Sequence, residues 1–151
     1  MRMFKAAAVA LVLQTTLLGA AYAQALNGNP LSDVRVRQAI AYAIDKKLIV
    51  DNVFGGYAVP ADGLLPNGPF KSDKLNAYPY NPDKAKELLK EAGWDSSRQL
   101  EMVYYYDDQV TANLMAVLQS ELADVGITMN YHLIVGDVAK TLSSIPDDPK
   151  G

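Results

Sequence analysis

The sequence predicts an α/β chain: a helical pair followed by a βαβ unit with parallel strands. Three observations carry this. Apolar residues recur at helical spacing through Asp33 to Gly56, DVRVRQAIAYAIDKKLIVDNVFGG. A helix with both ends marked follows between Asn81 and Gly93. An apolar-aromatic run, a helical stripe and an alternating run then succeed one another from Leu100 to Val135.

In the first stretch the helical stripe is Val36, Ala39, Ile40, Ala43, Ile44, Leu48, Ile49 and Val53. Ser32 or Asp33 can cap its start, because a short side-chain oxygen accepts an unpaired first-turn N–H. Asp45 can cap a second helix after a break, and Gly55-Gly56 stops the pattern. Gly55 to Tyr80 follows as a long irregular stretch punctuated by Pro60, Pro66, Pro69 and Pro79. Prolines remove donors and glycines permit unusual dihedrals, so neither a long helix nor a central strand fits there. A surface wrap is the plainer reading and a ligand contact the other, with Tyr57, Tyr78 and Tyr80 as packing anchors.

Asn81-Pro82 opens the next helix: asparagine caps, and proline at the first helical position has no N–H to leave unpaired. Ala85, Leu88, Leu89 and Ala92 form its buried stripe, and Gly93 ends it. Lys84, Lys86, Lys90, Glu87 and Glu91 make the wet face, and Trp94 reads as a buried plug. Leu100 to Tyr106 reads as a strand. Val110, Leu114, Val117, Leu118, Leu122 and Val125 give a helical stripe closed by Gly126. Ile127, Met129, Tyr131, Leu133 and Val135 then share one face of a second strand. Strand, helix and strand at this length make a βαβ unit with parallel strands. Gly136-Asp137 caps a last helix, Val138 to Leu142, and residues 143–151 read as a tail.

Composition excludes several function classes. Met1 to Ala23 has a basic start at Arg2 and Lys5, a short apolar run over Ala6 to Leu18, and small residues at Ala21 and Ala23. That is the pattern of a cleavable secretory leader. The run is shorter than the roughly 20 apolar residues of a membrane span. Without the leader 12 basic and 17 acidic residues remain, a balance that opposes general nucleic-acid binding. There is no cysteine, hence no disulfide framework and no thiolate metal site. His132 is the only histidine and has no carboxylates at metal-ligand spacing, so its reading is structural. Ser143-Ser144 have no base partner, and no glycine-rich phosphate loop follows a strand. No catalytic constellation is legible.

D-V-R-x-R-Q-A-I-x-Y-A-I-D-K-x-x-I from Asp33, followed by G-G-Y-A-x-P-A from Gly55, carries a resemblance. It continues through Tyr78-Pro79-Tyr80-Asn81-Pro82-Asp83-Lys84-Ala85-Lys86, Leu88-Leu89, Glu91-Ala92-Gly93-Trp94 and Leu122-Ala123-Asp124-Val125-Gly126-Ile127. Over roughly Asn29 to Leu142 the chain resembles the second lobe of extracellular solute-binding proteins of family 5. These are the peptide, dipeptide and nickel receptors of bacterial ABC importers. The resemblance implies a type II periplasmic-binding-protein-like lobe fragment. It divides the chain into a leader (1–23), a linker (24–31), a partial second lobe (32–142) and a tail (143–151).

What the resemblance implies about function follows from the family's receptors. They are longer, with two lobes that close on a peptide or other small solute and deliver it to an ABC permease of the inner membrane. The implied location is periplasmic, with no enzyme activity and no cofactor. A single partial lobe, missing its first-lobe partner, implies weak binding or none. In the family the turn after the first strand of this unit faces the cleft, and some peptide receptors place an arginine there for the ligand carboxylate. This sequence has Tyr105, Tyr106, Asp107, Asp108 and Gln109 instead. That set suits an amine, or hydrogen bonding and stacking from Tyr105 or Tyr106 with Asp107 taking a cation. Asp107 and Asp108 can equally be caps of the helix that follows. A second reading is a small periplasmic interaction protein without a ligand cleft, whose unpaired lobe face would favour self-association.

Overall fold

The computed structural model describes residues 29–61, 63, 68–69, 72 and 74–144. The leader, residues 24–28 of the linker and residues 145–151 of the tail lie outside the described residues. The described elements run α1 (Val34–Ala43), α2 (Lys46–Asn52), α3 (Pro82–Ala92), β1 (Gln99–Tyr104), α4 (Gln109–Asp124), β2 (Thr128–Leu133) and α5 (Val138–Ser144). A 3₁₀ turn, Pro30–Ser32, precedes α1. The linker therefore ends in ordered structure: Asn29 caps the turn, and Pro30 is buried.

Local chemistry sets each helix end. The Asp33 carboxylate accepts the Arg35 N–H at 2.8 Å and starts α1. Ile44 has extended backbone and breaks the run, and Asp45 then accepts the N–H groups of Lys47 and Leu48, both at 3.0 Å. Asn81 accepts the Lys84 N–H at 2.9 Å ahead of Pro82. Gly93 sits at φ +72°, where a Cβ would be strained, and lets the Trp94 N–H return to the Leu89 carbonyl at 2.9 Å.

Of the helical pair read from the sequence, α1 packs chiefly against α3 rather than against α2. Ala39 and Ala43 of α1 and Ala85 and Ala92 of α3 are at most 1 % exposed. Four methyl-sized side chains on these two helices let the backbones approach closely. Val36, Leu88 and Leu89 extend this seam, and Leu122, Val125, Ile127 and Met129 join it to the βαβ unit in one core. Trp94 is half-buried against that core, and its Nε1–H donates to the Gly126 carbonyl at 3.1 Å. The bond ties the end of α3 to the turn that launches β2.

Of the three tyrosines expected to anchor the long irregular stretch, Tyr78 does so. Its ring meets Tyr42 edge-on at 5.2 Å between centroids. Beside it the Asn81 N–H donates to the Tyr42 carbonyl at 2.8 Å and Lys46 Nζ to the Ala77 carbonyl at 2.6 Å. Tyr57 is 98 % exposed and anchors nothing. The turn that Tyr57 N–H closes onto Phe54 O, with Gly55 and Gly56 at positive φ, leads the chain away from the core. Tyr80 is half-exposed.

The two strands pair in parallel, with Gln99 opposite Thr128 and Tyr104 opposite Leu133. Alternation along each strand puts Leu100, Met102 and Tyr104 on one face with Met129, Tyr131 and Leu133. The other face carries Gln99, Glu101, Asn130 and His132. Asn130 Nδ2 donates to Gln99 Oε1 at 2.9 Å and to Glu101 Oε1 at 2.7 Å, and His132 Nε2 lies 2.9 Å from Glu101 Oε2. The lone histidine thus has a cross-strand structural partner. α5 runs two residues past the expected end, because the hydroxyls of Ser143 and Ser144 bond back to the carbonyls of Lys140 and Thr141.

Candidate functional site

Parallel pairing brings both strand ends to one side of the sheet. The Ile134 N–H donates to the Tyr104 carbonyl at 2.7 Å, so the ladder runs one residue beyond β2 and then stops. Tyr105 to Asp108 leave from β1, and Val135 to Asp137 leave from β2 beside them. In open α/β sheets this carboxyl side is where ligands collect, since the turns there are free of the strand ladder.

β1 ends at Tyr104, two residues before the sequence reading places it. The side chains explain the difference. Successive residues of a strand point to opposite faces, but the rings of Tyr105 and Tyr106 lie together, 4.5 Å apart between centroids and tilted by 37°. The chain must leave strand geometry for two neighbouring rings to meet. They are 51 % and 61 % exposed, and their hydroxyl oxygens are 3.5 Å apart. The Tyr106 hydroxyl beside it raises the Tyr105 phenol pKa, so Tyr105 stays protonated at neutral pH.

The two aspartates separate cleanly. The Asp108 carboxylate accepts the Thr111 N–H at 2.8 Å and the Thr111 hydroxyl at 2.8 Å, which makes it the cap of α4. These bonds hold its carboxyl below the usual range, the backbone bond first. Asp107 makes no hydrogen bond or ion pair among the described residues. Gln109 is turned along the helix, donating from Nε2 to Asn113 Oδ1 at 2.8 Å. Four of the five sequence-predicted residues, Tyr105 to Asp108, therefore share one turn, and Gln109 opens α4. The turn presents two paired, exposed phenols and one open carboxylate.

The sequence reading left Val135 out of the site. It is 85 % exposed and precedes Gly136 at φ +97°, next to the tyrosine turn. The signal was present as an apolar residue followed by a glycine at a strand end, and it was read as the strand's continuation. Asp137 accepts the Lys140 N–H at 3.0 Å and caps α5. At the opposite end of the sheet a groove of about 450 Å³ lies between α4 and β2, lined by Ala116, Ser120, Ala123 and Asn130 among others. Gln119 bridges the same two elements, from Nε2 to the Met129 carbonyl at 2.7 Å. The groove's lining is uncharged, and it sits at the amino end of β2. Among the described residues no three histidine, cysteine or acidic side chains converge as a metal site would require.

Comparison with known proteins identifies the family. Residues 5–143 match the family described as bacterial extracellular solute-binding proteins, family 5 middle. The chain is 38 % identical over 125 residues to an ABC transporter peptide-binding protein of Brucella ovis, covering 76 % of this chain and 24 % of that protein. It is 35 % identical over 119 residues to the glutathione-binding protein GsiB of Pectobacterium atrosepticum, covering 79 % and 23 %. In three dimensions it superposes on the ABC transporter substrate-binding protein CtaP of Listeria monocytogenes with a TM-score of 0.67 and 29 % identity, over 79 % of this chain and 25 % of that one. The chain spans about a quarter of the length of the curated relatives it matches. The fold is a part of a type II periplasmic-binding-protein-like architecture. The chain belongs to the bacterial extracellular solute-binding proteins of family 5.

Proposed function

We propose that this chain represents part of the second lobe of a receptor that captures a peptide-like solute and hands it to an ABC permease of the inner membrane. The observation that carries this is the exposed Tyr105–Asp107 turn at the carboxyl side of a parallel βαβ unit, in a chain matched to the family along residues 5–143. Recognition is by stacking, hydrogen bonding and charge, with closure of two lobes and no covalent chemistry. The leader pattern at residues 1–23 supports export to the periplasm. Closure requires the first lobe, so these 151 residues alone bind solute weakly or not at all.

Thermal unfolding with a pool of di- and oligopeptides tests the reading. The expected result is a cooperative transition that moves upward only at millimolar peptide, since the shift follows the logarithm of ligand over its dissociation constant. A micromolar affinity would overturn the requirement for the other lobe.

The alternative, a periplasmic interaction protein without a cleft, has one observation in its favour. The sheet has two strands among the described residues, so each strand carries an outer edge with no strand partner. Open edges are templates for pairing with another chain. A dimer with a large interface, indifferent to peptide at any concentration, would replace the receptor reading.

A further inference from the structure

The receptor reading leaves the chemical class of the solute open, and three observations converge on it. The first is charge. From Gln99 to Ala139 the sequence contains no lysine or arginine, while Glu101, Asp107, Asp108, Glu121, Asp124 and Asp137 all lie within it. The basic residues nearest in the chain, Arg98 and Lys140, bracket the unit. Of these, Asp107, Asp108 and Asp137 lie at the carboxyl side of the strands, with Lys140 in the first turn of α5. Glu101 instead faces His132, Glu121 faces Asp45 and Asp124 ends α4. The acidic groups at the turn concentrate counter-ions in front of it.

The second observation is which carboxylate is free. α4 is a 16-residue helix whose amino end would otherwise attract an anion. The Asp108 carboxylate already occupies that end, bonded to the N–H and hydroxyl of Thr111. Asp137 is engaged in the same way at α5. Asp107, one residue before the cap, has no partner among the described residues.

The third is the tyrosine pair. Two exposed rings 4.5 Å apart, immediately before the open carboxylate, offer electron-rich faces beside a negative charge. Cations bind over such faces by attraction to the ring quadrupole, and guanidinium groups stack there as well. A carboxylate ligand would meet no cation on this turn and would be repelled by Asp107.

We infer, resting on the solute-receptor reading, that the Tyr105–Asp107 turn takes the ammonium or guanidinium group of a cationic solute. Tyr105 and Tyr106 supply the ring faces and Asp107 the counter-charge.

Amide chemical-shift titration of the full chain tests this with four named probes. Agmatine and lysyl-lysine amide are the cationic ones, N-acetyl-glycylglycine amide is neutral, and N-acetyl-glutamyl-glutamate is acidic. The cationic probes are expected to shift the amides of Tyr105 to Asp107, less so as salt rises. Asp107→Asn should weaken them roughly two- to fivefold, the size of a solvent-exposed ion pair. Asp124→Asn makes the same change in net charge at the far end of α4, about 22 Å along its axis, and should leave binding unchanged. If the neutral or acidic peptide moves the same amides as strongly, or both variants weaken binding alike, the turn does not select cations, although it remains a solute site. If no probe moves the turn at all, even at tens of millimolar, the inference falls, while the solute-receptor reading, which expects weak binding or none from this part of a lobe, stands.

Discussion

Arg35 Nη1 donates to the backbone carbonyl of Glu91 at 2.7 Å, joining the first turn of α1 to the last turn of α3. The same guanidinium is held from behind by the Asp33 carboxylate, with Nε at 3.0 Å from Oδ1. One side chain thus completes the amino-terminal cap of one helix and covers an orphan carbonyl at the carboxyl end of another. A cation is favoured there by the helix dipole as well as by the hydrogen bond.

Arg35→Ala should therefore destabilise the chain by about 1–2 kcal/mol, the cost of a charge-assisted bond that leaves a helix end unpaired. Arg35→Lys should recover little, because an ammonium cannot fork between Asp33 and Glu91. The pH dependence supplies a second reading. The Arg35 hydrogen bond, against a smaller opposing effect of burial, holds the Asp33 carboxyl below its usual range. A depressed carboxyl gives stability that is present above its unfolded pKa and lost as pH falls through the folded one. Urea unfolding across the acid range should show this limb in the wild type and a flatter one in Arg35→Ala.

The alanine seam between α1 and α3 sets a different limit. Ala85 is fully buried in the core that joins α1 and α3. Ala85→Leu should push the helices apart at a cost of about 1–3 kcal/mol. The transition midpoint in urea reports it. A variant as stable as the wild type would show that the seam is slack.

Glu121 on α4 reaches the break between α1 and α2, where its Oε2 accepts the Asp45 N–H at 3.2 Å. Partial burial raises its carboxyl pKa, with the Asp45 and Asp124 charges adding and the Asp45 N–H opposing. A raised carboxyl holds a proton in the folded state that the unfolded chain has already released. Stability is therefore expected to fall as pH rises from the ordinary glutamate range through the folded pKa. Glu121→Gln keeps an oxygen for the Asp45 N–H and removes the charge. It should raise the melting temperature at neutral pH and abolish this limb, and a neutral-pH loss would refute the sign.

Asp107 and Asp108 should behave oppositely in a stability assay. Asp108→Ala removes the α4 cap and is expected to cost about 1 kcal/mol. Asp107→Asn should change stability by no more than about 0.5 kcal/mol, as for a surface site without contacts. Thermal unfolding of the pair distinguishes the structural carboxylate from the one available to solute.

What the sequence determined by itself is the local grammar. Asp33, Asp45, Asn81-Pro82 and Gly93 start or stop helices because each acts on groups within four residues of it, and such bonds need no distant partner. The period-two run Ile127 to Val135 and the stripe of α4 announced the βαβ unit for the same reason. The caps at Ile44-Asp45 and Gly136-Asp137 were legible too, and the family resemblance added the architecture that contains them.

Only the tertiary structure decided matters of choice between equal residues and of reach across the chain. Asp107 and Asp108 are chemically identical in the sequence, and the backbone turn alone selects which one meets Thr111. Tyr57, Tyr78 and Tyr80 read alike, but only Tyr78 has Tyr42 beside it, 36 residues away in the chain. β1 stops at Tyr104 because two neighbouring rings pair with each other instead of alternating across the sheet. Contacts between distant residues depend on where packing brings the backbone, and a side chain's type does not carry that information.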